Sequence, residues 1–170
     1  ILLNNMLRFF KFIPVLIFSA FVMFSFSKPT ETTNLKCMIQ MTSYLGEGAY
    51  VVISLISPEG EYDQTLYVHG KDPQWYNEIY QWWKYYGKKR VDIDAISGAT
   101  ISGGERAVSV LKIPNKKIDM GYDIRFETAV ENQEYYTKDI QFELTSESLK
   151  SKVEGNGFIR YVRCLLYTSP

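Results

Sequence analysis

Between Leu35 and Val162 the sequence is a succession of short alternating or β-branched runs. Each is closed by Gly, Pro, Asn or a polar turn, which restricts the chain to a mainly β fold. In LKCMIQMT, Leu35, Cys37, Ile39 and Met41 recur on one side, AYVVISLIS is rich in β-branched residues, and EYDQTLYVHG follows the turn SPEG. Short loops between these three runs predict an antiparallel meander. AVSVLKI, GYDIRFETAVE, YYTKDIQFELT and GFIRYV follow. In the second of these, Ile124, Phe126 and Thr128 alternate with Arg125 and Glu127, the pattern of a sheet with one buried face. Six or seven such strands predict an Ig-like antiparallel β-sandwich.

One segment breaks the period of two. KDPQWYNEIYQWWKYYGKKR offers Asp72 as an N-cap, Pro73 at the first helical position and Gly87 just past the end. Trp75, Ile79, Trp82 and Tyr86 then share one apolar face, so the sandwich is expected to carry one aromatic-rich helix inserted between strands. Tyr76, Trp83 and Tyr85 fall on the flanks of that face, where a planar ligand could stack. Lys88, Lys89 and Arg90 follow, cations that suit a helix C-terminus and are usually solvated there.

The ends of the chain have a different character. From Met6, the expected start, two cations (Arg8 and Lys11) precede an apolar run from Phe12 to Phe26 and the small residues Ser25 and Ser27. This is the layout of a secretory signal peptide over residues 1–27, and the run is shorter than the roughly 20 residues of a membrane span. Residues 28–34 read as a polar linker and 35–162 as a single sandwich domain. The final CLLYTSP resembles translated sequencing-adapter read-through, so residues 163–170 are given no functional weight.

Without its signal the chain has two fewer cations, 17 basic against 19 acidic residues, and no membrane span. Such a balance offers nothing to nucleic acid or to an anionic membrane. With Cys164 set aside, Cys37 is expected to be a lone buried thiol. Cys37, Met38 and Met41 are soft copper ligands by type, but alternate strand residues face one way and fill a core. His69 is the one histidine and is expected to end a strand, and no nucleophile elbow accompanies it, which argues against a Ser-His-Asp hydrolase. Asp92 and Asp94 share a face of an extended segment but have no evident third metal ligand.

The stretch DAISGATISGG, beginning at Asp94, is more specific than a turn requires. Asp94, Ser97, Gly98, Ala99 and Thr100 resemble the flavinylation motif Asp-x-x-(Ser/Thr)-Gly-Ala-(Thr/Ser) of extracytosolic bacterial electron-transfer proteins. There a flavin transferase joins FMN, taken from FAD, through a phosphoester to the last hydroxyl. The resemblance implies covalent FMN on Thr100, with Ser97 and backbone amides near the phosphate and Gly98 and Ala99 leaving room for the transferase. Trp83, one of the flanking rings, is the candidate to stack on the flavin.

More widely, AYVVISLISPEGEYDQTLYVHG, the WYNEIYQWW helix, DAISGATISGG and GYDIRFETAVE together resemble domain-of-unknown-function family 2271, predicted periplasmic proteins. That resemblance implies a periplasmic or secreted location, a flavin transferase as partner and a membrane redox protein nearby. Two readings stay open: a carrier with one covalent FMN and no catalytic residues of its own, or a non-catalytic module whose aromatic helix binds a partner and whose glycine-containing loop is structural.

Overall fold

The computed structural model describes residues 31–89 and 96–167. Strands β1 (Thr32–Met41), β5 (Arg106–Pro114), β8 (Lys152–Glu154) and β9 (Ile159–Tyr167) form one sheet in the order β5-β1-β9-β8. Strands β2 (Tyr50–Ile56), β3 (Tyr62–His69), β4 (Ser97–Gly98), β6 (Asp123–Ala129) and β7 (Tyr135–Glu143) form the other, in the order β4-β3-β2-β6-β7. All pairings are antiparallel except the short β3–β4 ladder. The expected antiparallel β-sandwich is the fold.

Alternation explains the main core. Leu35, Cys37 and Ile39 of β1 and Leu111 and Ile113 of β5 face Val51, Ile53 and Leu55 of β2 and Ile124 and Phe126 of β6. Each fully buried aliphatic or aromatic side chain contributes about 1.5–3 kcal/mol. The meander expected of the first three strands is only half formed. β2 and β3 make the hairpin, but β1 pairs with β5 and β9. The connection from Thr42 to Ala49 carries the chain between sheets, so β1 meets β2 face to face rather than edge to edge.

The lone-thiol expectation is also corrected. Residues 163–167 continue β9, and the β1–β9 register sets Cys37 opposite Cys164, to which it is bonded as a disulfide. Setting the tail aside had removed its partner. Met41 lies in the core as expected.

The aromatic segment folds in two pieces rather than one. Asp72 does cap, accepting the Gln74 amide, and Pro73 opens the segment, but Pro73–Glu78 is a 3-10 turn. The backbone leaves helical geometry at Ile79 before α1 (Tyr80–Lys89) begins, and Gly87 lies inside α1 rather than past its end. The change of pitch alters the buried face, which is Tyr76, Ile79 and Trp82 instead of the predicted stripe, with Trp75 and Tyr86 half-buried.

This segment roofs the outer face of the second sheet, packing on Val52, Val68 and Ala129. The β6 pattern therefore misleads, because both of its faces are buried: Arg125 is 5% and Glu127 0% exposed. A buried charge must find partners. Both oxygens of Glu127 accept phenol hydrogens, from Tyr62 at 2.5 Å and from Tyr135. Arg125 lies over the Tyr62 ring and donates to Gln141 at 2.8 Å.

Candidate functional site

The motif loop is pinned on both sides of Thr100. On its N-terminal side Ser97 and Gly98 form β4 beside Val68 and His69, and the Gly70 amide donates to the Gly98 carbonyl at 2.7 Å. A Cβ at Gly98 would stand 2.6 Å from the Tyr67 hydroxyl, so this position accepts only glycine without a shift of that ring. The imidazole of His69 then reaches the loop, its Nδ1 lying 3.1 Å from the Ala99 carbonyl and its Nε2 2.7 Å from the Ser109 hydroxyl. A carbonyl only accepts, so Nδ1 carries the hydrogen and the neutral ring takes the Ser109 hydrogen at Nε2. Burial lowers the His69 pKa below its usual value, against a smaller opposite effect of the Ala99 carbonyl, which keeps the ring neutral near pH 7.

On the C-terminal side Ile101 is only 2% exposed and exchanges two backbone hydrogen bonds with Ala49, at 2.8 and 3.1 Å. The Tyr44 hydroxyl donates to the Ile101 carbonyl at 2.5 Å and accepts from the Ala49 amide at 2.8 Å. Between these two anchorages Ala99 and Thr100 are exposed.

Thr100 borders a hollow of about 180 Å³, lined also by Tyr50, Trp75 and Ala129 and by three acids, Glu47, Glu78 and Glu131. Gly48 lines it beside Thr100, and a Cβ there would collide with the Thr100 side chain. The hollow combines an exposed threonine, two aromatic residues and three acids. These elements can accept a group on oxygen and a planar ring against Tyr50 and Trp75.

The structure brings together Ser97, Gly98, Ala99 and Thr100 of the predicted site, while Asp94, with Asp92, lies outside the described residues. Trp83 is elsewhere, packed with Tyr76, Trp82 and Tyr86 at ring separations of 5.6–6.4 Å; the tryptophan at the hollow is Trp75. The side chains of Lys88 and Lys89 and all of Arg90 are outside what is described. His69 ends β3 as expected, but its grip on Ala99 was not legible. Gly48 and Tyr50 were also missed. The glycine pair in Gly46-Glu47-Gly48 was the one available signal, since two glycines flanking one residue exceed what a sheet-to-sheet connection needs. Among the described residues no group of three or more His, Cys, Asp or Glu could hold a metal ion, and no helix is long and apolar enough to cross a membrane.

The fold is a two-sheet β-sandwich in which the exposed Thr100 stands on a loop held on both sides. The chain belongs to the DUF2271 family, described as predicted periplasmic proteins, which it matches over residues 32–161. Its location is accordingly periplasmic. No curated protein and no solved structure matches the chain.

Proposed function

We propose that this protein is a periplasmic electron carrier holding one FMN covalently on Thr100. The observation that carries the reading is the position of Thr100, an exposed hydroxyl-bearing residue between two anchored neighbours and beside the Tyr50–Trp75 hollow. In the attachment step the Thr100 oxygen bonds to the FMN phosphorus of FAD, AMP leaves, and the hydroxyl proton passes to a base on the transferase. Once bound, FMN supplies reversible one- and two-electron chemistry.

The described residues fit such a group. Tyr50 and Trp75 offer faces for part of the isoalloxazine ring, and a hollow smaller than the roughly 300–1,000 Å³ of enclosing ligand pockets leaves the rest of the ring reachable by a redox partner. Glu47, Glu78 and Glu131 offer a phosphate no positive charge, so retention rests on the covalent bond. His69, Tyr44 and Ala49 hold the loop still while the bond forms.

Coexpression with an exported flavin transferase, followed by intact mass and in-gel fluorescence under ultraviolet light, tests the reading. The expected result is an increment of one FMN in the wild type and in Thr100→Ser, and none in Thr100→Ala. An unmodified wild-type chain, or an increment that survives Thr100→Ala, overturns it in favour of a non-catalytic binding module.

A further inference from the structure

The outer face of the four-stranded sheet is predominantly basic. Along β5 the exposed positions are Arg106, Val108, Val110 and Lys112, while Ala107, Ser109 and Leu111 point inward. The cross-strand register places Lys36 beside Val110, and sets Met38 between Val108 and Arg163. Lys152 of β8 continues the row beyond Arg163. Arg106, Lys112, Lys36, Arg163 and Lys152 are all exposed on this face. Among the described residues the acid Glu154 also lies on this face, paired to Lys152 at 3.1 Å.

Scattered surface cations need no explanation, but these surround an apolar centre. Val108 is 53% and Val110 50% exposed, on an edge strand where polar side chains are the usual protection. The near-zero net charge of the chain hides this face, because the lining of the Thr100 hollow is acidic while the sheet face is basic.

We infer that this face is an interfacial docking surface for an anionic phospholipid bilayer. The occupant follows from charge complementarity and from the interleaving of long cations with exposed valines, which lets ammonium and guanidinium groups meet lipid phosphates while apolar side chains enter the headgroup layer. A periplasmic chain has such a surface within reach. The inference does not depend on the flavin reading.

Co-sedimentation of the processed protein, its N-terminus fixed by mass spectrometry, tests it. The vesicles are phosphatidylcholine alone and phosphatidylcholine with about one third phosphatidylglycerol. Binding is expected to the anionic vesicles only, and to be released by about 0.5 M salt, where screening shortens to a few ångströms. Lys36→Glu with Lys112→Glu should weaken it by about tenfold or more, since each cation near such a surface is worth about 1 kcal/mol. The control pair Lys84→Glu with Lys138→Glu, exposed elsewhere, should leave binding within about twofold once unfolding transitions show both variants folded. Failure to bind anionic vesicles at low salt overturns the inference, as does equal loss in both variant pairs. Dimerisation on size exclusion that only the Lys36/Lys112 pair abolishes would assign the face to a second copy and overturn the lipid assignment.

Discussion

Gly48 and Thr100 are coupled by contact, and that contact is open to test. Alanine at position 48 meets both the hydroxyl and the Cβ of Thr100, and because a Cβ is placed by the backbone the loop itself must shift, although no positive φ is forced at Gly48. Gly48→Ala should therefore cost about 1–3 kcal/mol in a urea titration, as overpacking does. On the flavin reading it should also slow FMN attachment to Thr100 by about tenfold or more, of the order that misplacing a reacting atom costs.

Glu127 gives a second prediction at the same scale. Burial raises its pKa from 4.5 to about 7, against smaller lowering effects of its hydrogen bonds from Tyr135 and Tyr62 and of the Arg125 charge. Because the folded chain then binds a proton more tightly than the unfolded one, this contribution to stability is complete below about pH 4.5 and is lost as pH rises through about 7. Urea titrations of wild type and Glu127→Gln, whose side chain imitates the neutral acid, should diverge from pH 5 to pH 8. The difference should be on the order of 3 kcal/mol, with the variant favoured at high pH. A constant difference across that range would remove the titration from Glu127.

At the scale of elements, the aromatic segment and the β7–β9 corner carry separable roles. Gly87 lies within α1, is exposed, and has open space where a Cβ would go. Gly87→Ala should stabilise the protein by about 0.5–1 kcal/mol, read as a raised unfolding midpoint. At the corner, the buried carboxylate of Asp139 accepts from the Thr128 hydroxyl and from the amides of Asn156, Gly157 and Ile159 at 2.6–3.0 Å. Asp139→Ala strands those donors and should cost about 3 kcal/mol or more by the same titration.

Strand existence was legible here because alternation is a local signal, as in β1 and β5. Pairing was not, since the partner of β1 is fixed by contacts with β5 and β9 far along the chain. The break at Ile79 was hidden because Trp75, Ile79, Trp82 and Tyr86 fit an unbroken helix; packing on Val52 and Val68 favours Tyr76 instead. For the same reason Trp83 was favoured over Trp75 as a neighbour of Thr100.

Across the whole molecule the two charged regions pull in opposite senses, which a single net charge cannot report. The acidic lining beside Thr100 and the basic sheet face predict opposite responses to added polyanions and polycations. Heparin should bind and be displaced by Lys36→Glu with Lys112→Glu, while polylysine binding should survive that change, both read by retention on charged resins. The motif itself was readable from Ser97 to Thr100, but the frame around it was not, because Tyr44, Ala49, His69 and Ser109 come from other strands and connections.

That dependence on distant positions has a consequence for chronology. An unfolded chain emerging from export carries the same motif residues but neither the His69 contact to Ala99 nor the Ala49 bridge to Ile101. On the flavin reading, a transferase that recognises the clamped loop would act after folding is complete, and the yellow colour of the product would then be a certificate of maturation. A synthetic peptide spanning residues 94–104 should accordingly be labelled at least about tenfold more slowly than the folded protein.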